Sequence, residues 1–382
     1  MPRKSKKINQ SPVVTPIFQS STFTFPDMAS LIDYQKGKRK GFIYTRYSNP
    51  TVEAVENQIA RLEGAQNSLL FSSGMAAISS ACLTLLGPDD VIVSSYPIYG
   101  GTAKLFDQLL KKLNIRVAFF PADDISRLSR SITRKTKLIY LESPTNPNLK
   151  IIDLESAGRI AKHRKIFSII DSTFATPVNQ KPLDFGIDAV IHSVTKYLGG
   201  HSDIVGGVIS GSGHFIARVW ETRKYLGGCA DPHQAFLLER GLKTLEIRVE
   251  KHNRNAASIA KFLESVSDLK HVIYPGSSSH PQHELAARQM SGFGGMVSFN
   301  LGSKRRAIQF VDSLKVIKNA SSLGGTESLI SIPIWTSHFG LKQEILSRSG
   351  VTPDLVRLSV GLEPDNVLIK DIKQALRVAF RK

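Results

Sequence analysis

Short apolar runs alternate with longer amphipathic segments between residues 50 and 210, and this alternation restricts the fold more than any other feature. The apolar runs predict strands at residues 91–94, 117–120, 137–141, 168–171, 189–192 and 207–210. The amphipathic segments predict helices at residues 52–62, 75–86, 102–113 and 154–163. Strands that are apolar throughout are typical of a parallel sheet covered on both faces, so we expect an α/β domain with a mostly parallel sheet.

The pattern changes after about Gly241. A long helix is predicted from His233 to about Leu263, with a break near Gly241. Strand-like segments at residues 295–300 and 356–360 then alternate with helical patterns and with a loop-rich stretch at residues 271–283, which indicates a smaller α+β domain. The Pro- and Ser-rich start predicts an extended arm. We therefore expect an arm at residues 1–46, a large domain at residues 47–241 and a small domain at residues 242–382.

The high positive charge of the chain suggests one alternative function. It has 50 Lys and Arg against 32 Asp and Glu, a net charge of +18, which would suit a nucleic-acid-binding protein. The basic residues are spread along the chain, however, and are not interleaved with aromatic residues in one stripe. A basic surface or a pocket for anionic small molecules therefore explains the charge better, and we expect no nucleic-acid partner.

Other features bear on the cellular setting. No apolar run is long enough to span a membrane, so we expect no membrane association. The basic residues Arg3, Lys4, Lys6 and Lys7 are not followed by an apolar run, and we expect a cytoplasmic protein. Cys82 and Cys229 lie in no metal or redox motif and are predicted to be buried thiols.

Polar residues follow several of the predicted strands, where α/β sheets bind ligands. They occur in FSSGM (71–75), ESPTNP (142–147), DSTFATP (171–177) and SVTK (193–196). An amine at Lys196, an acid at Asp171, hydroxyls beside the lysine and a Gly-containing helix start are the groups that pyridoxal phosphate needs. Taken singly, Asp171 could cap a loop and Lys196 could be a surface cation. Together, in this order, they predict a pyridoxal phosphate site.

Competing motifs are incomplete. The segment SVTK (193–196) matches the S-x-x-K pattern of acyl enzymes, but the supporting S-D-N and K-T-G elements are absent. The segment HPQHE (280–284) has the wrong order for a zinc helix, and we predict a loop there and no metal site. Neither G-x-G-x-x-G nor a Walker A sequence occurs, which argues against dinucleotide and P-loop sites.

Several blocks together make the sequence recognisable. It resembles the trans-sulfuration (Cys/Met metabolism) family of pyridoxal-phosphate enzymes, whose members have fold type I, like aspartate aminotransferase. This family includes cystathionine γ-synthases, γ-lyases and β-lyases, homoserine-ester sulfhydrylases and methionine γ-lyases. Besides SGMAA (73–77) and the segments around Asp171 and Lys196, the resemblance is carried by YTRYSNPT (44–51), YGGT (99–102), ESPTNP (142–147), RGLKTL (240–245), SLGG (322–325) and VRLSVG (356–361).

The resemblance implies cofactor-binding roles for ten residues, one of which, Asn146, would also lie near the substrate. Lys196 would form the Schiff base with pyridoxal 5'-phosphate and move protons, and Asp171 would pair with the pyridinium nitrogen. Tyr99 would stack on the ring and act as an acid or base. The phosphate would be bound by Gly74, Met75, Ser193 and Thr195 of one subunit and by Tyr44 and Arg46 of its neighbour. The family therefore also implies an active dimer and a homotetramer built from two such dimers.

The resemblance also implies an amino-acid substrate and residues that bind it. Arg357 would bind the substrate α-carboxylate with help from Ser322, and Asn146 would lie near both the ring hydroxyl and the substrate. Glu327 matches a position where γ-synthases and γ-lyases have Glu, and the resemblance implies that it would lie near the distal amino group of cystathionine. Alternatively, Glu327 is a carboxylate at a helix start, where the helix dipole favours it.

Some positions depart from the family pattern or bear on the reaction. Ser172 replaces the usual Asn, and PIWTSHFG (333–340) differs from the usual Met-Thr-His-Ala run, so that a structural role is expected for His338. Gly in YGGT replaces the Cys of methionine γ-lyases, and Leu323 replaces the Trp of many bacterial β-lyases. We expect a cystathionine γ-synthase or γ-lyase, with the γ-synthase ahead. A β-lyase, a homoserine-ester sulfhydrylase, a methionine γ-lyase or a catalytically silent relative are the alternatives.

Overall fold

Two β-sheets organise the protein in the computed structural model, which describes residues 11–381 without the side chains of residues 344 and 348. The four basic residues near the start lie outside the described residues. The first sheet contains β1 (Asn67–Phe71), β2 (Val91–Tyr96), β3 (Arg116–Pro121), β4 (Thr136–Glu142), β5 (Phe167–Asp171), β6 (Ala189–His192) and β7 (Gly207–Gly211). The second contains β8 (Val272–Ile273), β9 (Met296–Asn300), β10 (Lys318–Asn319), β11 (Leu329–Ser331) and β12 (Leu355–Ser359).

The seven-stranded sheet has the order β1-β7-β6-β5-β4-β2-β3. Strands β3, β2, β4, β5 and β6 pair in parallel, and β7 is antiparallel to both of its neighbours. The predicted mostly parallel α/β sheet is therefore confirmed, and all six predicted strands are present. Strand β1 was not predicted, because its first two residues, Asn67 and Ser68, interrupt the apolar pattern.

Fourteen α-helices are present among residues 11–381. They are α1 (Met28–Gln35), α2 (Pro50–Glu63), α3 (Gly74–Leu85), α4 (Gly100–Lys104), α5 (Ser126–Ser131), α6 (Leu154–Arg164), α7 (Thr176–Asn179), α8 (Gly213–Leu226), α9 (Pro232–Leu242), α10 (Leu245–Glu264), α11 (His283–Gln289), α12 (Lys304–Ser313), α13 (Gln343–Arg348) and α14 (Asp365–Ala379). The predicted helix at residues 102–113 is instead α4 followed by a π-helical turn and a 3₁₀ turn. Helix α1 lies within the segment predicted to be an extended arm, where Asp27 caps it by accepting a hydrogen bond from the Ser30 amide.

Both faces of the large sheet are buried. On one face, Tyr140 and Ile169 pack in a core with Ala77 of α3, and on the other face Ile170 packs with Leu154 of α6. Two-sided burial explains why these strands are apolar throughout. It also leaves the carboxyl ends of the strands as the place where polar side chains can meet a ligand.

The second sheet has its own core, in which its strands pack with α10, α12 and α14. Helix α10 contributes to two cores: Leu245 and Val249 pack against α2, whereas Ile259 and Leu263 pack with the second sheet. The break before α10 was predicted, but the division between residues 241 and 242 stays a prediction.

Cys82 is buried, as predicted, and burial raises the pKa of its thiol to about 12. Cys229 is only half-buried, because it lies at the edge of the large sheet in a bridge with Phe71, so the prediction for this residue was wrong. Within residues 11–381, the helices are all too short or too polar to cross a membrane.

Candidate active site

A cavity of about 600 Å³ lies at the carboxyl ends of the large-sheet strands, between the two sheets. Ten of the thirteen predicted site residues line it: Gly74, Met75, Tyr99, Asn146, Asp171, Ser193, Thr195, Lys196, Ser322 and Arg357. Eight of these come from segments of the large sheet, and Ser322 and Arg357 come from the second-sheet region. Tyr44, Arg46 and Glu327 are not among the lining residues.

Lys196 lies in the turn after β6 and is largely buried. Its Nζ donates a hydrogen bond to Ser322 Oγ at 2.7 Å. Burial, together with the positive charge of Arg357, lowers the pKa of Lys196 to about 8, so a fraction of the amine is neutral near physiological pH. Ser322 has a φ of 108°, a strained value for a residue with a side chain, and such strain is typical of functional sites.

Asp171 ends β5 and is buried. Its Oδ1 accepts hydrogen bonds from the amide and the hydroxyl of Thr173, at 3.0 and 2.5 Å. Burial raises the pKa of Asp171, although the bonds from Thr173 oppose that effect. Among the described residues, none donates to Oδ2, so this oxygen is available to a cation or an N–H group in the cavity.

Arg357 lies on β12 and is buried at 4% exposure. Its Nη1 donates to Asn146 Oδ1 at 2.9 Å, and its Nη2 donates to the Ser322 carbonyl at 3.3 Å. Its Nε is buried without a partner among the described residues. Burial lowers the pKa of Arg357 to about 10, which still leaves a full positive charge near neutrality. A buried guanidinium with a spare donor suits a carboxylate ligand.

The start of α3 forms another wall of the cavity. Ser73 caps this helix, since its hydroxyl accepts a hydrogen bond from the Ala76 amide at 3.0 Å. Gly74 and Met75 are the first helical residues, so their amides have no partner within the helix. Such a helix start attracts anions. Thr195 lies nearby, and its hydroxyl accepts a hydrogen bond from the Gly206 amide at 3.0 Å.

Glu142 is a cavity residue to which the sequence analysis assigned no role. It ends β4 and is buried at 5% exposure. Its Oε2 accepts from the Tyr99 amide at 2.7 Å, and its Oε1 accepts from the Asn146 amide at 2.9 Å. The available signal was its position: an acidic residue directly after an apolar strand, inside the ESPTNP block.

Two predicted cofactor-binding residues lie away from the cavity. Arg46 donates a hydrogen bond to the Lys224 carbonyl, and its guanidinium lies 5.4 Å from the centre of the Tyr44 ring and 4.8 Å from that of Tyr47. Tyr44 is 40% exposed. Neither residue reaches the cavity of its own chain, so their assignment to a neighbouring subunit stays a prediction.

Glu327 lies in a bend before β11. It accepts hydrogen bonds from the hydroxyls of Ser202 and Thr326, the latter at 3.2 Å. Burial alone would raise the pKa of Glu327, but the bond from Ser202 and the others outweigh burial and lower it. No helix begins at this bend, so the interpretation of Glu327 as a helix-start carboxylate was wrong. Its substrate-binding role stays a prediction.

His338 is 1% exposed and lines a separate, mainly apolar cavity of about 390 Å³. Its Nδ1 lies 2.9 Å from the Ser337 hydroxyl. Burial lowers the pKa of His338 to about 4, so the ring is neutral at physiological pH. His338 does not line the candidate active site, although the nearby charge of Arg357 also lowers its pKa.

The HPQHE segment includes a turn at His280 and the start of α11 at His283, so it is only partly the predicted loop. Residues 11–381 contain no group of three or more His, Cys, Asp or Glu side chains that could bind a metal ion.

Comparison with known proteins identifies the family. The model of the Cys/Met metabolism PLP-dependent enzyme family matches residues 2–377. The chain belongs to this family. Its members use pyridoxal phosphate in cysteine and methionine metabolism, so the resemblance, the fold type and the cofactor inferred from the sequence are confirmed.

Similar proteins within the family have different activities. A cystathionine γ-lyase of Bacillus subtilis is 42% identical over 95% of this chain and 94% of its own length. A cystathionine β-lyase of Lactococcus lactis is 40% identical over 95% of this chain and 94% of its own length. A solved structure of a cystathionine γ-synthase of Xanthomonas oryzae with cystathionine has a TM-score of 0.92 and 37% identity, covering 96% of this chain and 93% of that one. Overall identity therefore does not decide among these reactions.

The cavity fits the cofactor of the family. The start of α3 offers amides for the phosphate, and Lys196 offers an amine for the covalent link. The Oδ2 atom of Asp171, which has no partner among the described residues, suits a protonated ring nitrogen. All three features line the same cavity, and no residue of the set would have to be replaced.

Proposed function

We propose that this chain is a cystathionine γ-synthase, which joins an O-acylhomoserine and cysteine. The observation that supports a γ reaction over a β-elimination is Leu323, which lines the cavity directly beside Ser322. Many bacterial β-lyases of this family have Trp at the matching position. Leu is much smaller than Trp, so this wall of the cavity differs in shape from that of such β-lyases.

The crowding around Gly101 disfavours a methionine γ-lyase activity. A Cβ atom added at Gly101 would lie 2.5 Å from the ring of Tyr99 and 3.1 Å from the sulfur of Met75. The cysteine that methionine γ-lyases carry in this block would therefore collide with Tyr99 unless the ring moved. This crowding supports a different reaction in this chain.

The residues of the cavity have complementary roles in the proposed reaction. Arg357, which lines the cavity, binds the substrate α-carboxylate, and Asn146 holds the guanidinium in place. When bound, pyridoxal phosphate withdraws electrons from the substrate α carbon and makes its proton acidic. Lys196, with its pKa lowered to about 8 by burial and by Arg357, takes the proton from Cα and then one from Cβ. Tyr99 lies at the same cavity, where its hydroxyl can donate a proton to a departing group.

The net reaction balances without any further reactant. The bond between Cγ and the ester oxygen breaks, and the acyl group leaves as a carboxylate. The sulfur of cysteine forms a bond to Cγ and loses its proton, and cystathionine results. A γ-lyase would instead cleave cystathionine with water to cysteine, 2-oxobutanoate and ammonia. The similarity to the Bacillus subtilis γ-lyase makes this the second candidate.

Steady-state assays distinguish these reactions. The chain is incubated with O-succinylhomoserine or O-acetylhomoserine plus cysteine and, separately, with cystathionine alone. We expect cystathionine from the first mixture, and no product from a Lys196→Ala control. Cleavage of cystathionine to cysteine and 2-oxobutanoate, without synthesis, would instead establish the γ-lyase. Homocysteine and pyruvate as the only products would refute both γ reactions.

The assembly proposed for the chain is a homotetramer of two active dimers, in which Tyr44 and Arg46 of one subunit complete the phosphate site of the next. Their distance from the cavity of their own chain supports this arrangement. At a cofactor concentration too low to load Arg46→Ala sites, mixing Lys196→Ala and Arg46→Ala chains would then restore activity to about a quarter of the wild-type value, because half of the random dimers contain one intact site. No recovery after subunit exchange would contradict the shared site. The cytoplasmic location stays a prediction.

A further inference from the structure

Glu142 connects two loops of the active site that are far apart in the sequence. Each of its carboxylate oxygens accepts a hydrogen bond from one backbone amide, that of Tyr99 at 2.7 Å and that of Asn146 at 2.9 Å. Tyr99 precedes α4, and Asn146 lies in the loop after β4. One buried side chain therefore fixes the distance between the residue proposed to stack on the cofactor and the residue that holds Arg357.

Glu142 also lies next to Asp171. The two residues are paired in the register of the parallel strands β4 and β5, at the carboxyl end of each strand. They face the same side of the sheet, because Tyr140 and Ile169, two residues earlier in each strand, pack in the same core. Burial, followed by the nearby charge of Asp171, raises the pKa of Glu142, and the hydrogen bonds from the Tyr99 and Asn146 amides oppose that effect. A second carboxyl group beside Asp171 is electrostatically costly, so its presence needs a reason.

The two amide contacts supply that reason. We propose that Glu142 is a positioning residue of this site, which holds the Tyr99 and Asn146 loops at a set spacing around Asp171. Through Asn146 it sets the orientation of Arg357, and through Tyr99 it sets the wall against which the cofactor ring packs. The inference rests on the proposed function for the roles of these partners, but the contacts themselves do not depend on it.

The two contacts require a Glu142 side chain with two acceptor atoms. Both oxygens must be acceptors, since each faces an N–H donor. Glutamine has nearly the same shape, but its NH₂ group would face one of the two amides, so that bond would be lost. Aspartate keeps the charge but is one methylene shorter and cannot reach both amides. Glu142→Gln and Glu142→Asp therefore separate the role of the double acceptor from that of the charge.

Asp371 offers a matched control. It is 4% exposed, and its carboxylate accepts hydrogen bonds from the amides of Lys315, Val316 and Ile317 at 2.9 to 3.0 Å. It lies on α14, and it does not line the active-site cavity. Asp371→Asn removes the same kind of interaction elsewhere in the chain, and it reports the effect of a general loss of stability.

The first measurement is amide hydrogen exchange of the purified holoenzyme, followed by mass spectrometry on peptides that contain residue 99 or residue 146. In Glu142→Gln and Glu142→Asp we expect exchange in at least one of these peptides to rise about tenfold or more, because a buried amide has lost its acceptor. Asp371→Asn should leave both peptides unchanged and should affect peptides around residues 315–317. Wild-type exchange at both loops in both Glu142 variants would overturn the proposal.

The second measurement is steady-state kinetics with the amino-acid substrate that the wild-type chain uses. Both Glu142 variants should raise KM about tenfold through the loosened Asn146–Arg357 pair, and they should also lower kcat. Asp371→Asn should keep the wild-type KM even where its unfolding temperature falls. If Glu142→Asp behaves like the wild type while Glu142→Gln does not, only the charge matters and the proposal is wrong. If the wild-type chain shows neither γ-synthase nor γ-lyase activity, the proposed function is wrong. The hydrogen-exchange measurement would still decide whether Glu142 positions the two loops.

Discussion

Replacing Gly100 by alanine tests the close contact between the backbone at Gly100 and the backbone at Ser337, at the edge of the active site. Gly100 is the first residue of α4 and directly follows Tyr99. A Cβ atom added there would lie 2.0 Å from the carbonyl oxygen of Ser337 and 3.2 Å from its carbonyl carbon. Both atoms belong to the backbone, so no side-chain rotation can relieve the contact. Ser337 itself lines the active-site cavity.

The size of the effect follows from this geometry. Real Cβ atoms essentially never lie closer than 3.0 Å to another heavy atom, so an atom placed at 2.0 Å must move by about 1 Å. Either the Tyr99 loop or the segment around Ser337 has to give way, and both line the cavity. Overpacking of this kind costs roughly 1–3 kcal/mol of stability. A displacement of about 1 Å at a catalytic wall lowers kcat/KM by roughly 100-fold.

The assay compares Gly100→Ala with Gly87→Ala. At Gly87 an added Cβ atom meets only the Asp90 carboxylate at 3.8 Å, an ordinary contact, so we expect a change in stability below about 0.5 kcal/mol. Thermal unfolding and steady-state kinetics are measured on both variants. Gly100→Ala should lose activity by a larger factor than its stability loss explains. Wild-type kcat/KM and unfolding temperature in this variant would show that the close approach to Ser337 does not exist in solution.

Three further changes have expected outcomes. Arg46→Ala should weaken cofactor binding, measured by absorbance titration, without unfolding the chain; unchanged affinity would count against a shared phosphate site. Asn146→Ala leaves one Arg357 donor without its partner and should raise KM for the amino-acid substrate about tenfold, and an unchanged KM would contradict this contact. Because burial and Arg357 lower the pKa of Lys196 to about 8 in the folded chain, the unfolded chain binds more protons between pH 8 and pH 10. Lys196→Met should therefore stabilise the cofactor-free chain against unfolding at pH 7 by roughly 2–3 kcal/mol. This gain in stability should shrink as the pH rises from 8 to 10. A gain that does not depend on pH would refute the lowered pKa of Lys196.

Much of the fold could be predicted because it depends on patterns within a few residues. Runs of apolar residues specify strands that are buried on both faces, and all six predicted strands are present. The pair of Asp171 and Lys196 was predictable for the same reason, since each follows such a strand and the carboxyl ends of parallel strands meet at one edge. Where polar residues interrupted the local pattern, the prediction failed. Strand β1 was not predicted because it begins with Asn67 and Ser68, and the helix predicted at residues 102–113 is irregular.

The contacts that shape the cavity join segments far apart in the chain. The amine of Lys196 meets the hydroxyl of Ser322, which is 126 residues away, and Gly100 meets the backbone at Ser337. The orientation of Arg357 depends on Asn146, which is 211 residues away in the chain. No local pattern encodes these distances, because they result from how the second sheet packs against the first. The periodicity of apolar residues in the sequence thus determines the strands and helices and the edge of the sheet at which the active site lies. Long-range packing decides which side chains are in contact at that edge.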